Sequence, residues 1–368
     1  MLTSQFPKGM NSQLNNFDLL RLFAALQVVF YHSISHLNVN VNPIVGKVFG
    51  FFPGVPIFFV ISGFLITMSF DRNPNLKSYA INRILRIYPA LWVCFIVSLV
   101  ILGIFGYLNK EIFGTSFIAW IIGQLSIVQF FNPEFFRSFG VGVVNGSLWT
   151  IPVELQFYII TPPIIMLLAV LNKKLNQNII LASLFIASSI LYIIIMQDGL
   201  YKSNFIAKLL SVSIFPHLFM FLLGMLIYLN IELLFKFFKG KFLIWTVIYV
   251  SYMLYIGNIL NLQVNDNYLL LLISRIFLAA WVMAFAFTWC SLSNSILRGN
   301  DISYGVYIYH MLVVNVMVEL GYMNNPVFLL LVVLITVATA WLSWKFIEFP
   351  ALKLKHRPLH SVNSSVKI

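Results

Sequence analysis

Long apolar runs separated by short polar connections recur along this chain of 368 residues. Examples are the runs at 179–196, 243–260 and 327–344. A helix needs roughly 20 predominantly apolar residues to cross a bilayer. In hydrocarbon, backbone N–H and C=O groups must pair within their own element, so these runs predict helices; barrel strands would instead alternate over about 10 residues. The pattern therefore predicts an all-α, polytopic transmembrane helix bundle.

About ten of these runs are long enough to be spanning helices. We expect the spans at 17–37, 50–70, 85–106, 152–171, 179–197, 205–229, 242–260, 268–290, 302–321 and 327–346. A further run, 117–131, is short for a span and is expected to form a short or re-entrant helix. No cleavable signal peptide is visible, so the run from 17 is expected to stay as the first helix.

The Lys and Arg residues predict the orientation of the bundle. The strongly basic connections and the tail fall on one side only if 117–131 does not cross completely. Since cytoplasmic loops carry an excess of Lys and Arg, both termini are expected in the cytoplasm. The sequence thus predicts one membrane domain at 17–349, preceded by a cytoplasmic segment at 1–16 and followed by a basic cytoplasmic tail at 350–368.

Composition supports the membrane class and argues against others. Hydrophobic residues make up 60% of the chain and charged residues 9%, with a mean hydropathy of +0.92, whereas soluble domains carry about 25% charged residues. The net charge of +12 is spread between apolar runs without forming a patch, so nucleic acid is not an expected partner. Cys94 and Cys290 lie in separate runs and imply no disulfide framework.

Charged residues inside spanning helices are the candidate functional residues, because a charge at the bilayer centre costs at least about 2.5–3.5 kcal/mol. In the first helix, Asp18 and Arg21 are three residues apart and can pair. Arg21 and His32 are eleven apart, so they share a face about 16 Å apart along the axis. The alternative interpretation is an interfacial ion pair beside a structural core histidine.

Three further segments carry candidates. Arg83 and Arg86 in NRILRIYP present two guanidiniums on one face, which suits phosphate, although anchoring at the membrane surface is the alternative. Glu154 in GSLWTIPVELQFY is a carboxylate in an apolar helix and should be paired or protonated. In SYGVYIYH, three residues share a helical face, which is more often a packing pattern: Ser303, Tyr307 and His310. The histidines lack metal-ligand spacing, so no metal is expected.

Together these segments resemble the acyltransferase-3 family of integral membrane O-acyltransferases. The shared motifs occur in the family's order: DLLRLFAA leading to YHS, FFVISGFLIT, RILRIYP, GSLWTIPVELQFY and SYGVYIYH. The resemblance covers nearly the whole chain, from 17 to about 350. Some members carry an extra C-terminal esterase-like domain, and this chain is expected to be of the stand-alone type without it.

The resemblance implies transfer of an acyl group, expected to be acetyl, from cytoplasmic acyl-CoA to a sugar hydroxyl of a cell-surface glycan. Lipopolysaccharide O-antigen and exopolysaccharide are examples of such acceptors. The expected partners are acyl-CoA as co-substrate, a carbohydrate or lipid-linked glycan, and the lipid bilayer, with no permanently bound cofactor. The expected location is a bacterial inner membrane.

The motif positions imply catalytic roles for His32, Arg21 and Glu154, and acyl-CoA binding by Arg83 and Arg86. His32 can accept the hydroxyl proton as general base, or form an acyl-histidine, and the sequence does not separate the two. Residues expected around the catalytic groups or the acceptor are Asp18, Ser147, Trp149, Ser303, Tyr307 and His310. A glycolipid or organic-anion transporter is the alternative function, since transporters also keep paired charges within the bundle.

Overall fold

The computed structural model describes residues 16–109, 112, 114–171, 176–197, 209–260 and 267–356. Within these residues the regular elements are all helical. The α-helices are α1 Phe17–His36, α2 Pro43–Phe51, α3 Gly54–Arg72, α4 Leu76–Ile104, α5 Thr115–Leu125, α6 Thr150–Leu171, α7 Gln177–Gln197, α8 Leu218–Leu229, α9 Ile231–Phe238, α10 Phe242–Leu254, α11 Tyr268–Ala286, α12 Leu292–Leu297, α13 Ser303–Glu319, α14 Pro326–Ser343 and α15 Phe349–Lys353. Short 3₁₀ turns lie at Glu134–Phe136, Gly146–Trp149 and Leu354–His356, and π-helical turns at Tyr255–Ile259 and Trp344–Glu348.

Several of these helices can cross a membrane. In the described residues, seven helical stretches are long and apolar enough, or up to eight if α8 and α9, which meet at an angle of 96°, form one broken span. Two further predicted spans correspond to shorter helices. The span 242–260 corresponds to the apolar helix α10 with its π turn, and 302–321 corresponds to α13, which has 17 residues. The predicted span 205–229 begins outside the described residues; its residues from 209 onward are described, and they include α8. The prediction of a polytopic helix bundle is confirmed.

The predicted boundaries hold for some helices and fail for α4. That helix begins at Leu76, well before the expected 85, with the Asn75 side chain accepting the Ser78 N–H at 2.9 Å as an N-cap. As a result Arg83 and Arg86 lie two to three turns inside α4, whereas the expected boundary puts them at the start of the helix. The basic residues tolerate this position because, as described below, they face a cavity within the protein.

Two glycines allow α3 and α8 to approach each other closely. A Cβ on Gly63 of α3 would lie 2.1 Å from the carbonyl oxygen of Phe221, and one on Gly224 of α8 would lie 2.2 Å from that of Val60. Small residues of this kind let transmembrane helix backbones touch. Helix α3 also packs against α1 and α6, while α1 packs against α13. These contacts bring the polar segments of α1, α4, α6 and α13 around one interior space.

Candidate active site

A cavity of about 270 Å³ lies between these helices, at the end of the bundle where α1, α4 and α13 begin. Its wall carries both charged and aromatic side chains. The charged ones are Arg21, Arg83, Arg86, Glu154, Asp301 and Lys355. A volume near 300 Å³ is at the lower end for small-molecule sites. The cavity therefore combines enough room for part of a ligand with an excess of positive charge.

Asp301 is the acidic residue around which the arginines of this cavity are arranged. Its Oδ2 accepts a hydrogen bond from Nη2 of Arg86, and Nη1 of Arg21 lies 3.4 Å from the same oxygen. Arg21 also pairs with Asp18 at 3.0 Å, as its spacing in the sequence predicts. Burial alone would raise the pKa of the Asp301 carboxyl, but the Arg86 and Arg21 guanidiniums outweigh it and lower that pKa. Asp301 is therefore ionised at neutral pH.

The position of Asp301 follows from the local chain. A turn with positive φ at Arg298 and Gly299 directs the backbone into α13. Asp301 Oδ1 then accepts the Ser303 backbone N–H at 3.2 Å and the Ser303 hydroxyl. A carboxylate near a helix N-terminus is favoured by the free N–H groups and the helix dipole. Ser303 thus helps to position the acid that binds the arginines.

Arg83 shares the cavity with Arg86 but has different partners. Its Nη2 donates to Ser69 Oγ at 2.7 Å, and its guanidinium lies 5.3 Å from the ring of Tyr79 and 5.2 Å from that of Tyr158. Within the described residues it forms no ion pair with a carboxylate, and its buried Nε has no hydrogen-bond partner. Of the two arginines predicted to act together, Arg86 is therefore neutralised by a carboxylate, and Arg83 is not.

Glu154 lies in the cavity wall on the first turns of α6, after the 3₁₀ turn Gly146–Trp149. Its Oε1 accepts a hydrogen bond from the Tyr158 hydroxyl one turn later. Because Tyr158 also lies against Arg83, this pair connects Glu154 to the unneutralised arginine. Glu154 is therefore hydrogen-bonded to Tyr158, and among the described residues it forms no ion pair.

The histidines form a second cluster, further along α1 and α13. Nδ1 of His32 lies 2.8 Å from Nε2 of His310, and Nδ1 of His310 lies 2.7 Å from the carbonyl oxygen of Tyr307. His310 is completely buried, while His32 is half-buried. Thus Arg21 and His32 both face the α13 segment, but Arg21 contacts Asp301 and His32 contacts His310.

These contacts define the protonation pattern of the pair. A carbonyl only accepts hydrogen bonds, so His310 Nδ1 must carry the proton. The Nε2 of neutral His310 is then an acceptor, and it receives the Nδ1–H of His32. His32 is left with a lone pair on Nε2, the form required of a general base or nucleophile.

Tyr307 connects the two clusters. It lines the cavity, its ring lies 5.9 Å from that of His310, and its hydroxyl donates to the Ser147 carbonyl at 3.1 Å and accepts from Thr150 at 2.8 Å. The Ser147 hydroxyl lies 2.8 Å from Asn145 Oδ1 and 3.2 Å from the Tyr307 carbonyl, so its single proton has two acceptors within reach. Ser147 therefore lies beside the carbonyl that positions His310.

Trp149 lies apart from the histidine pair, with its ring 5.3 Å from that of His217. Two charged residues of the cavity were not predicted as site residues from the sequence. Asp301 looks like an ordinary acid before a helix, and Lys355 looks like part of a basic tail. No group of three or more metal-ligating side chains occurs in the described part of the chain.

Comparisons with known proteins show which family this chain belongs to. The acyltransferase domain model of the acyltransferase-3 family matches residues 14–345. The chain is 33% identical to nodulation protein 10 of Rhizobium leguminosarum bv. viciae, covering 93% of this chain and 94% of the relative. It is 34% identical to the O-acetyl transferase of Shigella phage Sf6, covering 40% of this chain and 44% of that protein. No solved structure matches the chain.

A further similarity is to the peptidoglycan O-acetyltransferase OatA of Listeria monocytogenes serovar 1/2a, at 33% identity over 45% of this chain and 26% of the relative. The chain thus spans less than half of the phage and Listeria proteins, and almost all of the rhizobial one. The helices and the cavity define an integral membrane protein with a buried, charged site. The chain belongs to the acyltransferase-3 family, and it is a membrane O-acyltransferase.

Proposed function

We propose that the protein transfers an acetyl group from acetyl-CoA to a sugar hydroxyl of a cell-surface glycan, with lipopolysaccharide O-antigen or exopolysaccharide as candidate acceptors. The observation that carries the chemistry is the hydrogen-bond series from the Tyr307 carbonyl through His310 to His32. The peptidoglycan and phage O-acetyl transferases among the relatives support acetyl as the group and a glycan as the acceptor class.

In the proposed reaction, Nε2 of His32 accepts the proton of the acceptor hydroxyl while the oxygen attacks the thioester carbonyl carbon. The C–O ester bond forms as the C–S bond breaks. The departing CoA sulfur takes the proton from the His32 imidazolium, which restores the neutral imidazole. An acyl-histidine route uses the same lone pair as nucleophile and passes the acetyl group to the sugar in a second step.

The charged cavity supports an acyl-CoA donor. CoA carries a diphosphate and a 3′-phosphate on its nucleotide, and guanidinium groups bind phosphate well. Asp301 and His310 are nine residues apart on one helical segment, which corresponds to about 13 Å along its axis. An elongated donor with its phosphates in the cavity and its thioester near His32 suits this separation. In the orientation predicted from the Lys and Arg residues, the charged end of the site faces the cytoplasm, where acyl-CoA is available.

The test is mass spectrometry of the host's surface glycans with the gene present, deleted, and restored as His32→Ala. We expect an acetyl mass to disappear on deletion and to stay absent with the variant. An unchanged glycan profile on deletion, with the wild-type protein shown to be present and folded in the membrane, would contradict the proposal.

A second measurement addresses the transporter alternative, which the family membership does not support. Membranes containing the protein should convert acetyl-CoA to free CoA over many turnovers only when acceptor glycan is supplied. Acetyl label retained on the protein before acceptor is added would favour the acyl-histidine route over general-base catalysis.

A further inference from the structure

The cavity contains four cations, and they fall into two groups. Arg86 and Arg21 are held by Asp301, and Arg21 also by Asp18. Their positive charge is therefore compensated by the protein itself. A ligand phosphate would have to compete with Asp301 for their N–H groups.

The other two cations, Arg83 and Lys355, have no acidic partner in the part of the chain that the structure describes. Arg83 contacts a serine hydroxyl and two aromatic rings, and its Nε is buried without a hydrogen bond to any described residue. Placing unpaired charge and an unsatisfied N–H inside a protein costs free energy. Such groups are typical of a site that a ligand completes.

Lys355 reaches the cavity from the opposite end of the sequence. It lies in the 3₁₀ turn Leu354–His356, directly after α15, and α15 and this turn both pack against α4, the helix of Arg83. Burial lowers the pKa of its ammonium to about 8, and the charges of Arg86, Arg83 and Arg21 act in the same direction. By contrast Lys353, two residues earlier, is exposed and lies over the Phe349 ring at 4.3 Å.

We propose that Arg83 and Lys355 together form the phosphate subsite for the acyl-CoA donor, while Arg86 and Arg21 hold Asp301 and do not bind the donor. This inference rests on the proposed function and assigns its donor subsite. A phosphate between the two side chains would supply the anionic partner that the Arg83 guanidinium lacks among the described residues. It would also offset the repulsion that Lys355 experiences from the arginines. The C-terminal turn thereby becomes part of the binding site.

The test uses full-length protein and three acetyl donors: acetyl-CoA, acetyl-3′-dephospho-CoA and S-acetylpantetheine, which has no nucleotide. Lys355→Gln should raise KM for acetyl-CoA by about tenfold or more, because a charge-assisted bond to phosphate is lost, with kcat unchanged. The KM for S-acetylpantetheine should not change. Lys355→Arg, which keeps the charge, should retain most of the affinity, and Lys353→Gln should behave as wild type.

Acetyl-3′-dephospho-CoA shows which phosphate of the donor Lys355 binds. If Lys355 binds the 3′-phosphate, Lys355→Gln leaves KM for acetyl-3′-dephospho-CoA unchanged; if it binds the diphosphate, that KM rises as well. Either result supports the subsite. Equal rises in KM for acetyl-CoA and S-acetylpantetheine would show a structural role and overturn it. So would wild-type kinetics for Lys355→Gln.

The bound phosphate could also belong to a lipid headgroup, so the assays are run in phosphatidylcholine vesicles with and without phosphatidylglycerol. An effect of Lys355→Gln that appears only with the anionic lipid and is the same for all donors would overturn the donor assignment. If Lys355→Gln does not fold, Lys355→Met, which keeps an apolar stem, replaces it. Failure of the wild type to use any donor would instead overturn the proposed function and this inference with it.

Discussion

The two clusters of the candidate site hold polar groups inside the bundle in different ways. In the cavity, the carboxylate of Asp301 is compensated by two guanidiniums. In the histidine pair, the described contacts are hydrogen bonds between neutral groups, ending on the Tyr307 carbonyl. One arrangement depends on opposite charges and the other on the placement of a proton.

Because of this difference, the two clusters are suited to different roles. Guanidiniums keep their charge at working pH and are suited to holding an anion in place. A neutral imidazole with a free lone pair can accept and return a proton during a reaction. Tyr307 belongs to both clusters, because its side chain lines the cavity and its carbonyl fixes His310. We therefore expect substitutions in the two clusters to affect different measured quantities.

Replacing His32 should have the largest effect. His32→Ala is expected to lower kcat by about 10²–10⁴-fold, the usual contribution of a positioned general base, while leaving acetyl-CoA binding intact. His36→Ala is the matched control, since its ring lies 5.8 Å from that of His32 in the same helix but does not take part in the contact with His310. A normal rate for His32→Ala would refute the assignment of the base.

Replacing Asp301 should affect the stability of the fold and not the chemical step. Its side chain is only 9% exposed, and Asp301→Asn leaves Arg86 and Arg21 without their shared partner. Removing one member of a buried ion pair costs about 3–5 kcal/mol of the free energy of unfolding. Thermal unfolding in detergent should show this loss, whereas Glu134→Gln, in an exposed pair, should behave as wild type. An unchanged unfolding temperature for Asp301→Asn would mean that the cavity charges are not coupled as described.

Replacing His310 tests the proton placement directly. His310→Leu removes the acceptor for His32 Nδ1–H and should lower kcat about 10- to 100-fold with little change in KM, because the imidazole loses its fixed tautomer. His310→Gln keeps an acceptor oxygen near the former Nε2 and should retain more activity. Equal losses in the two variants would indicate that His310 acts through packing alone.

The sequence predicted the parts of this site that depend on spacing within one segment. The pairing of Asp18 with Arg21 and the common orientation of Arg21 and His32 toward one neighbour follow from helical periodicity. The bundle itself follows from the length of the apolar runs. These features need no knowledge of which helices are neighbours.

The parts of the site that the sequence did not predict depend on contacts between distant segments. Asp301 and Arg86 are 215 residues apart, and the sequence of neither segment indicates that the two are in contact. The same limit explains why Arg83 and Arg86, equivalent by spacing, were predicted to act together although only Arg86 faces Asp301. Lys355 could not be distinguished from the basic residues that set membrane orientation, because its role depends on where the C-terminal turn packs.

The smallest expected effect is on the pH dependence of donor binding. Because the pKa of Lys355 is about 8, its ammonium is mostly charged at pH 7 and mostly neutral at pH 9. If only the charged form binds phosphate, KM for acetyl-CoA should rise by about tenfold at most between these values, since the 3′-phosphate of the donor, a monoester with a second pKa near 6, and its diphosphate both stay ionised throughout. The other charged groups lining the cavity are Arg21, Arg83, Arg86, Glu154 and Asp301.

The arginines in that set keep their charge over this range, and the lowered pKa of Asp301 keeps it ionised. With Lys355→Arg, KM for acetyl-CoA should therefore stay low between pH 7 and pH 9. With Lys355→Gln, it should stay high over the same range. A rise in KM that persists in both variants would assign the titration to another group. In that case the charged cavity would bind its donor without help from the C-terminal turn, and the phosphate would depend on Arg83.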